Sequence, residues 1–386
     1  MSGTAVRSER PASVGEAAAL LRELGAAGSA LRVRGGGTKL EWAGPLAAGI
    51  ELETGGLDRV IEHNEGDFTA VLEAGVPLAR AQERFAAAGQ MLALDPPLAG
   101  GDGEPRATIG GVVASADSGP LRHRYGGVRD LVVGITVVLS DGTVAKAGGR
   151  VIKNVAGYDL GKLFAGSLGT LGLIASVAVR LHPLPAETAT ARGASDDPGA
   201  LARAAGRLAA LPFEAECLDA GWAGECGELL VRFAGATAAE RAERAAALMG
   251  ELGLERGEVI EDDLMVWAGQ RSRQRSGSGA VLKVSAVMGD LAAVLEAARR
   301  LGAVMAGRAA LGLSWLALPE AADVKGALAT LRGALPGAWV RVLDGAGAVS
   351  DPWPGVDPGA LAVMERVKAR FDPARVFAPG SFAGGL

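Results

Sequence analysis

Residues 30–39 read ALRVRGGGTK and join a predicted strand to three consecutive glycines. Apolar and basic side chains alternate from Ala30 to Arg34, and this period of two predicts a strand with one buried face. The three glycines can adopt φ values that other residues avoid, so several N–H groups can point into one concavity. Such a loop could cradle a pyrophosphate, with Arg34 and Lys39 adding positive charge. A glycine-containing hairpin that binds nothing explains these residues equally well.

Two further glycine-rich segments follow before residue 175. Residues 108–127 read TIGGVVASADSGPLRHRYGG, and residues 166–174 read GSLGTLGLI. Paired glycines beside small residues let a flat, extended ligand lie directly on the main chain. The sequence contains no Walker A motif, and it has no GxGxxG between a strand and a helix. Each segment is a weak signal alone, but the three together indicate one long ligand that contacts the chain at several places.

Length and periodicity predict an α+β protein of two lobes. A chain of 386 residues exceeds what one hydrophobic core usually supports. The residue composition changes near residue 184. Residues 185–198 are rich in alanine and small polar side chains and are predicted to be a linker. Beyond them, residues 199–344 alternate helical and strand patterns, which indicates a sheet covered on one side by helices. The long segment 94–127 is predicted to be an ordered, functional loop.

Composition excludes several classes of protein. The 39 basic and 44 acidic residues give a net charge of -5, which argues against a nucleic-acid partner. Cys217 and Cys226 are too few for a disulfide framework or an iron–sulfur cluster, and they suit a reducing cytosol. Residues 1–10 are polar and lack the apolar core of a signal peptide. The segment from Leu131 to Leu139, apolar except for Gly134 and Thr136, is too short to span a bilayer. A cytoplasmic protein is therefore expected, with membrane contact only through a partner.

A fourth block makes the sequence resemble a known family. Residues 153–160 read KNVAGYDL and, with the three glycine segments, resemble the FAD-binding domain of the vanillyl-alcohol oxidase superfamily, the PCMH-type domain. Within that superfamily the likeness is greatest to the E subunits of glycolate oxidases. Residues 371–380, FDPARVFAPG, resemble the closing segment of the family. The resemblance implies a PCMH-type FAD-binding domain of two α+β subdomains over residues 1–184, a smaller α+β cap over 199–344, and a return to the first domain over 345–386.

The resemblance also implies a set of FAD contacts. The pyrophosphate would lie on Gly35, Gly36, Gly37 and Thr38, with Arg34 and Lys39 beside them. The flavin and its ribityl chain would contact Thr108, Gly110, Gly111, Ala114, Ser118 and Gly119, and later backbone contacts would come from Gly172 and Ile174. Tyr125 is a further candidate, and a packed aromatic that closes its loop is an equal alternative. No histidine or cysteine lies near residues 34–39, so the FAD is expected to be bound non-covalently.

The histidine content bears on catalysis. Catalytic hydroxyacid dehydrogenases of the superfamily carry a histidine-rich metal or base site in the cap, whereas the histidines here are His63, His123 and His182. This pattern favours an FAD-binding subunit, without a metal site, of a glycolate (2-hydroxyacid) oxidase complex. A sister FAD-binding catalytic subunit would oxidise the substrate, and an iron–sulfur subunit would accept the electrons.

Two alternatives stay open. In a self-sufficient FAD-dependent glycolate or D-lactate dehydrogenase, Arg271 would clamp the substrate carboxylate. Arg271 belongs to the segment WAGQRSRQR (267–275), in which Arg273 and Arg275 are predicted to lie on a solvated surface or at a subunit contact. The second, weaker alternative is a sugar-nucleotide reductase, for which no distinct motif is found.

Overall fold

The computed structural model describes residues 7–43, 49–99, 104–149, 159–349 and 351–386. Over these residues the chain forms two lobes, each built on a largely antiparallel sheet. The segment KNVAGYD, except for its last residue Asp159, lies outside the described residues. No helix in the described ranges is both long and apolar enough to cross a membrane.

The first lobe contains two main sheets and a set of mostly short helices. Its strands are β1 (Arg7–Glu9), β2 (Leu31–Arg34), β3 (Ile50–Glu53), β4 (Val60–Asn64), β5 (Thr69–Glu73), β6 (Gln90–Met91), β7 (Val132–Val138), β8 (Val144–Gly148), β9 (Leu173–Arg180) and β10 (His182–Pro183). Its helices are α1 (Val14–Ala26), α2 (Leu78–Ala86), α3 (Ile109–Ser115), α4 (Arg122–Tyr125), α5 (Val128–Leu131) and α6 (Leu160–Phe164).

The two sheets of the first lobe share a core with α1. The parallel sheet has the order β1-β3-β2, and the antiparallel sheet has the order β4-β5-β9-β7-β8. Helix α1 begins where the Ser13 side chain accepts a hydrogen bond from the Glu16 backbone N–H, as expected for an N-cap. Its buried residue Leu21 packs with Leu52 of β3 and Leu173 of β9, so this helix joins the sheets. The end of β2 is thereby fixed beside the glycine loop.

The second lobe is built on one large antiparallel sheet. Its strands are β11 (Thr188–Ser195), β12 (Cys217–Ala223), β13 (Cys226–Ala234), β14 (Glu255–Ile260), β15 (Val281–Ser285), β16 (Val304–Arg308), β17 (Leu313–Ala317) and β18 (Trp339–Val342). Its helices are α7 (Pro198–Ala210), α8 (Ala238–Glu251), α9 (Leu264–Ser272), α10 (Leu291–Leu301) and α11 (Val324–Ala334). Over the described residues the strand order is β14-β11-β13-β12-β16-β17-β15-β18.

The two faces of this sheet have different neighbours. Helices α7, α8, α10 and α11 cover one face and form its apolar core. The opposite face looks toward the first lobe, where Trp42 packs in one buried cluster with Val281, Trp315 and Leu343. Side chains that point to this second face therefore lie between the lobes.

The segment 185–198 differs from the prediction of a linker. It contains β11, which pairs with β13 on one side and β14 on the other. The residues of β11 read TATARGAS, and Ala189, Thr190 and Ala191 are buried. Small side chains fit between the two neighbouring strands. A sequence of small residues also resembles a linker, and this explains why the strand was not predicted. The second lobe therefore begins inside the segment expected to connect the two.

The closing segment contacts the first lobe. Helix α12 (Pro358–Phe371) leads into Val376 and Phe377, which are fully buried. The Leu31 N–H donates a 2.8 Å hydrogen bond to the Val376 carbonyl, and the Ala378 N–H donates a 2.8 Å bond back to Leu31. Lys368 Nζ donates to the carbonyl oxygen of Thr170 at 2.7 Å. The last part of the chain thus supports the strand that precedes the glycine loop.

Candidate functional site

A cavity opens beside the triple glycine. Its walls come from the end of β2, the first turns of α3, the turn after α6 and the closing segment. The lining residues are Arg32, Val33, Gly35, Gly36, Gly37, Thr38, Lys39, Leu40, Ala43, Ala107, Thr108, Gly111, Val112, Ala114, Ser115, Leu168 and Ala378. The fold thus brings parts of all three glycine segments to one cavity. Ser115, Leu168 and Ala378 are wall residues that lie in the quoted segments but were not predicted as contacts.

Close packing explains why glycines occupy this loop. A Cβ atom added at Gly36 would stand 1.6 Å from the backbone carbonyl oxygen of Arg106, and Gly37 has a φ of +73°. Gly36 therefore tolerates no side chain, and Gly37 adopts a conformation that favours glycine. The motif serves the packing of its own loop as well as any ligand.

Helix α3 presents only some of its predicted contact residues to the cavity. The Thr108 side chain caps the helix by accepting a hydrogen bond from the Gly111 N–H at 3.3 Å. Thr108, Gly111 and Ala114 line the cavity. Gly110 faces the other way, since an added Cβ would stand 2.6 Å from the Cβ of Ala74. Its role in the structure is close packing against the chain that follows β5.

Residues 35–38, the triple glycine and Thr38, form a loop that we call the cradle. The basic residues beside this loop are paired with acids. Arg34 Nη1 donates to Glu51 Oε2 at 2.9 Å, and Arg32 forms an ion pair with the same carboxylate. Lys39 Nζ lies 3.3 Å from Asp117 Oδ2, and both side chains are almost fully buried. Burial lowers the pKa of Lys39, and the charge of Asp117 opposes that shift. Much of the positive charge is therefore balanced within the protein, so a bound anion would depend largely on backbone N–H groups.

The remaining predicted cofactor residues lie outside the set that lines the cavity. Ser118 and Gly119 are at the lobe interface, where the Ser118 carbonyl accepts a 3.1 Å hydrogen bond from Gln274. The Tyr125 hydroxyl donates to Glu216 Oε1 at 3.0 Å, and its ring packs on that of His182. Gly172 and Ile174 lie at the start of β9, and Ile174 is buried in the core.

The second lobe contributes a group of side chains that sequence reasoning missed. Lys283 of β15 stands directly opposite Trp315 of β17 and Arg341 of β18 in the sheet. The Lys283 ammonium and the Arg308 guanidinium lie 5.4 and 5.0 Å from the centre of the Trp315 ring. Arg308 is fully buried and pairs with Asp219 of β12 at 2.5 Å. Burial lowers the pKa of Lys283 to about 8, and Asp117 of the first lobe opposes the shift.

Several buried polar atoms in this region have no hydrogen-bond partner among the described residues. They are Arg308 Nε, Trp315 Nε1 and Arg341 Nε. A buried polar atom without a partner costs about 1–3 kcal/mol, so a group of them is unusual in a folded protein. Their position between the lobes indicates that a polar ligand belongs there.

The three arginines after Trp267 all bind acids. Arg271 Nη1 lies 3.6 Å from Asp95 Oδ2, and Arg273 pairs with Glu228. Arg275 was expected on a solvated surface or at a subunit contact, but its side chain is only 11% exposed and binds Asp344 of the same chain through Nε at 2.6 Å and Nη2 at 2.8 Å. In the sequence these arginines resemble the charged face of an exposed helix, because the acids that bind them are distant in sequence.

Arg275 also connects the two lobes beside the cradle. Its Nη2 donates to the Thr38 carbonyl at 2.8 Å, and the Trp42 indole N–H donates to Asp344 Oδ1 at 3.0 Å. A second cavity shares Gly37 and Thr38 with the first and is also lined by Arg275 and Asp344. The cradle loop is therefore held from both lobes. The described residues contain no group of three or more His, Cys, Asp or Glu side chains that could hold a metal ion.

Comparison with known proteins identifies the ligand. Residues 9–148 match the family model described as an FAD binding domain. Over 126 residues the chain is 36% identical to the glycolate oxidase subunit GlcE of Escherichia coli (strain K12), which covers 33% of this chain and 35% of that protein. It is 36% identical over 159 residues to the mitochondrial D-lactate dehydrogenase (cytochrome) of Arabidopsis thaliana, covering 41% and 27%. It is 36% identical over 154 residues to the glycolate oxidase subunit GlcD of Bacillus subtilis (strain 168), covering 39% and 32%. These matches span about a third of each relative or less.

The fold likeness extends much further than the sequence likeness. An alkyldihydroxyacetonephosphate synthase structure superposes on 96% of this chain and 76% of its own with a TM-score of 0.71, at 13% identity. The α+β, PCMH-type fold expected from the sequence is confirmed, and so is FAD as the cofactor. The residues present fit that cofactor, since a close-packed glycine cradle, a wall of small residues and buried polar atoms that lack partners lie along one part of the molecule.

Proposed function

We propose that this chain is the FAD-binding subunit of a glycolate or related 2-hydroxyacid oxidase or dehydrogenase complex, in which the flavin takes part in electron transfer from a 2-hydroxy acid to an iron–sulfur partner. One observation carries the proposal: a well-formed FAD site adjoins a second lobe that has no histidine. The FAD-linked relatives include two glycolate oxidase subunits, which supports the choice of a 2-hydroxy acid.

The residues of the chain would have distinct tasks in FAD binding. FAD supplies the capacity to accept two electrons and to release them one at a time. Gly35 to Thr38 would hold the pyrophosphate with backbone N–H groups, and Thr108, Gly111 and Ala114 would form the adjoining wall. Ser118 and Gly119 would approach the flavin at the lobe interface. Among the residues that line the first cavity, none is a histidine or cysteine, which supports non-covalent binding.

The absence of a histidine base supports a role in electron transfer rather than independent turnover. Oxidation of a 2-hydroxy acid removes a hydride from its α-carbon and a proton from its hydroxyl group. Near neutral pH a histidine is well suited to accept that proton. His123 and His182 lie in the first lobe and have pKa values lowered by burial, and His63 is bonded to Gln90. A sister subunit is therefore proposed to carry out the proton transfer.

The proposal includes partners and a location. The two cysteines of this chain lie on adjacent strands, with Cys217 buried and Cys226 exposed, so an iron–sulfur cluster would have to come from another subunit. We place the complex in the cytoplasm, with membrane contact only through its partners. Tagged chain expressed together with its genomic neighbours is expected to co-purify with a second flavoprotein and an iron–sulfur protein. Recovery of the chain alone from such cells, with full glycolate-oxidising activity, would contradict the proposal.

One observation favours the alternative of a self-sufficient dehydrogenase. Lys283, Arg308 and Arg122 converge between the lobes, and such cations could bind the carboxylate of a 2-hydroxy acid. Arg271, the earlier candidate for that task, lines a separate cavity beside Asp95. Anaerobic mixing of the purified chain with glycolate or D-lactate separates the two functions. The electron-transfer role predicts no rapid loss of the flavin absorbance, whereas complete and rapid bleaching would establish independent oxidation.

A further inference from the structure

Lys283 is a cation without a counter-ion in its immediate surroundings. Within the described residues its ammonium has no ion pair and no hydrogen bond, and its contact is with the face of the Trp315 ring. The acid whose charge acts on it is Asp117, and the carboxylate of Asp117 lies 3.3 Å from Lys39. Its other charged neighbours, Arg122, Arg308 and Arg341, are all positive. This part of the interface therefore has an excess of positive charge.

The neighbouring arginines are committed to other groups. Arg308 binds Asp219 and the side-chain oxygen of Gln274. Arg341 donates to the backbone carbonyl of Trp42 and lies over the ring of Trp353. Lys283 alone among these three cations of the sheet makes no hydrogen bond in the described structure. A positive charge held in this way is available to a ligand.

A chain of contacts connects this cation to the predicted flavin contacts. Gln274, which accepts from Arg308, donates to the backbone carbonyl of Ser118. Arg308 and Lys283 both lie against the ring of Trp315. Among the described residues the buried N–H of that ring has no hydrogen-bond partner. Asp117, whose charge acts on Lys283, is next to Ser118 in sequence. The lysine therefore belongs to the same inter-lobe region as the residues proposed to approach the flavin.

We propose that Lys283 favours the negatively charged, reduced form of the bound FAD and so raises the reduction potential of the cofactor. The inference rests on the proposed approach of the flavin to Ser118 and Gly119. A positive charge near the pyrimidine part of a flavin stabilises the charge that the ring gains on reduction. The arginines of residues 271–275 are less suited to this role, because each of them binds an acid. Lys283 therefore has the free charge that this role requires.

The reduction potential of bound FAD tests this role without substrate or partner subunits. Lys283→Met removes the charge and keeps a side chain of similar length, Lys283→Gln keeps a polar group, and Lys283→Arg keeps the charge. Lys325→Met, at an exposed lysine of α11 in the same lobe, is the matched control. At a fixed potential, we expect the ratio of reduced to oxidised FAD to fall about tenfold in the Met and Gln variants. For a two-electron couple this equals about 30 mV. The Arg variant and the control are expected to stay within about twofold of the parent protein.

Three results would overturn the inference. The first is a neutral variant that binds FAD fully and has the potential of the parent chain. The second is an equal shift in the Lys325 control, because the effect would then come from overall charge. The third is loss of FAD from both neutral variants, which would make Lys283 a residue that holds the cofactor rather than one that sets its potential. Failure to isolate a multisubunit complex would refute the proposed function but leave this measurement valid.

Discussion

Replacing Asp344 with alanine should weaken the contact between the lobes by an amount that the structure lets us calculate. The carboxylate accepts two hydrogen bonds from Arg275 and one from Trp42. Because Arg275 is only 11% exposed, D344A leaves a buried guanidinium without its counter-ion, at a cost of about 3–5 kcal/mol. The lost Trp42 hydrogen bond adds about 1 kcal/mol. We expect the free energy of unfolding to fall by about 4–6 kcal/mol in urea titrations followed by tryptophan fluorescence.

The same change should weaken FAD binding. Arg275 also donates to the carbonyl of Thr38, a residue of the cofactor cavity. If the ion pair no longer fixes Arg275, the cradle loop loses part of its support from the second lobe. A loss of about 1.4 kcal/mol in binding free energy corresponds to a tenfold increase in Kd. The increase can be measured by titrating apoprotein with FAD and following the quenching of flavin fluorescence.

A double variant separates the ion pair from the simple loss of a side chain. R275M with D344A removes both charges, and we expect it to recover most of the stability lost in D344A. Asp262→Ala, at an exposed acid of the same lobe, is the control and should change stability by less than about 0.5 kcal/mol. The reasoning is refuted if D344A costs less than about 1 kcal/mol, or if the double variant is as unstable as D344A.

Three other changes test separate parts of the site. Gly36→Ala should abolish detectable FAD binding, since its Cβ would stand 1.6 Å from a carbonyl oxygen. The control Gly206→Ala, in open space on α7, should bind FAD normally, and its free energy of unfolding should rise by about 0.5–1 kcal/mol. Tyr125→Phe removes the hydrogen bond to Glu216 and should lower the free energy of unfolding by about 1–3 kcal/mol. An unchanged FAD affinity in this variant would identify the ring as a packed aromatic, whereas a large loss of FAD affinity would make Tyr125 a cofactor contact. Burial raises the pKa of Asp95 to about 6. Between about pH 4 and 6 the folded protein therefore binds more protons than the unfolded chain. The free energy of unfolding consequently falls as the pH rises through that window. Asp95→Asn should flatten that slope in urea titrations at several pH values, and an unchanged slope would rule out this titration.

A local sequence signal predicted the strand that leads into the cofactor cavity. The alternation from Ala30 to Arg34 corresponds to β2, which has nearly the expected bounds. This signal is contained within one element, so it can be detected without knowledge of the fold. The strand β11 was missed because small residues suit both a linker and a crowded position between two neighbouring strands of a sheet.

The inter-lobe part of the site could not be predicted, because each contact joins residues that are distant in sequence. Lys283 is a single lysine in an apolar strand, and only its pairing with Trp315 and Arg341 shows that it faces the first lobe. Arg275 resembled a surface residue because nothing near it in sequence indicates Asp344. Such pairings depend on strand order, which periodicity alone does not determine.

The charge balance of the cradle explains why the second lobe matters to a site whose glycine motifs all lie in the first. Glu51 binds Arg32 and Arg34, and Asp117 binds Lys39, so the basic residues beside the glycines contribute less positive charge than their number suggests. A cofactor that carries two phosphates and becomes more negative on reduction needs further stabilisation. The ammonium of Lys283, which has no ion pair within the described residues, is on the second lobe. The cradle loop is itself bonded to that lobe through Thr38. Because the same lobe supplies both the support and the charge, we infer that FAD binding and the docking of the two lobes stabilise each other.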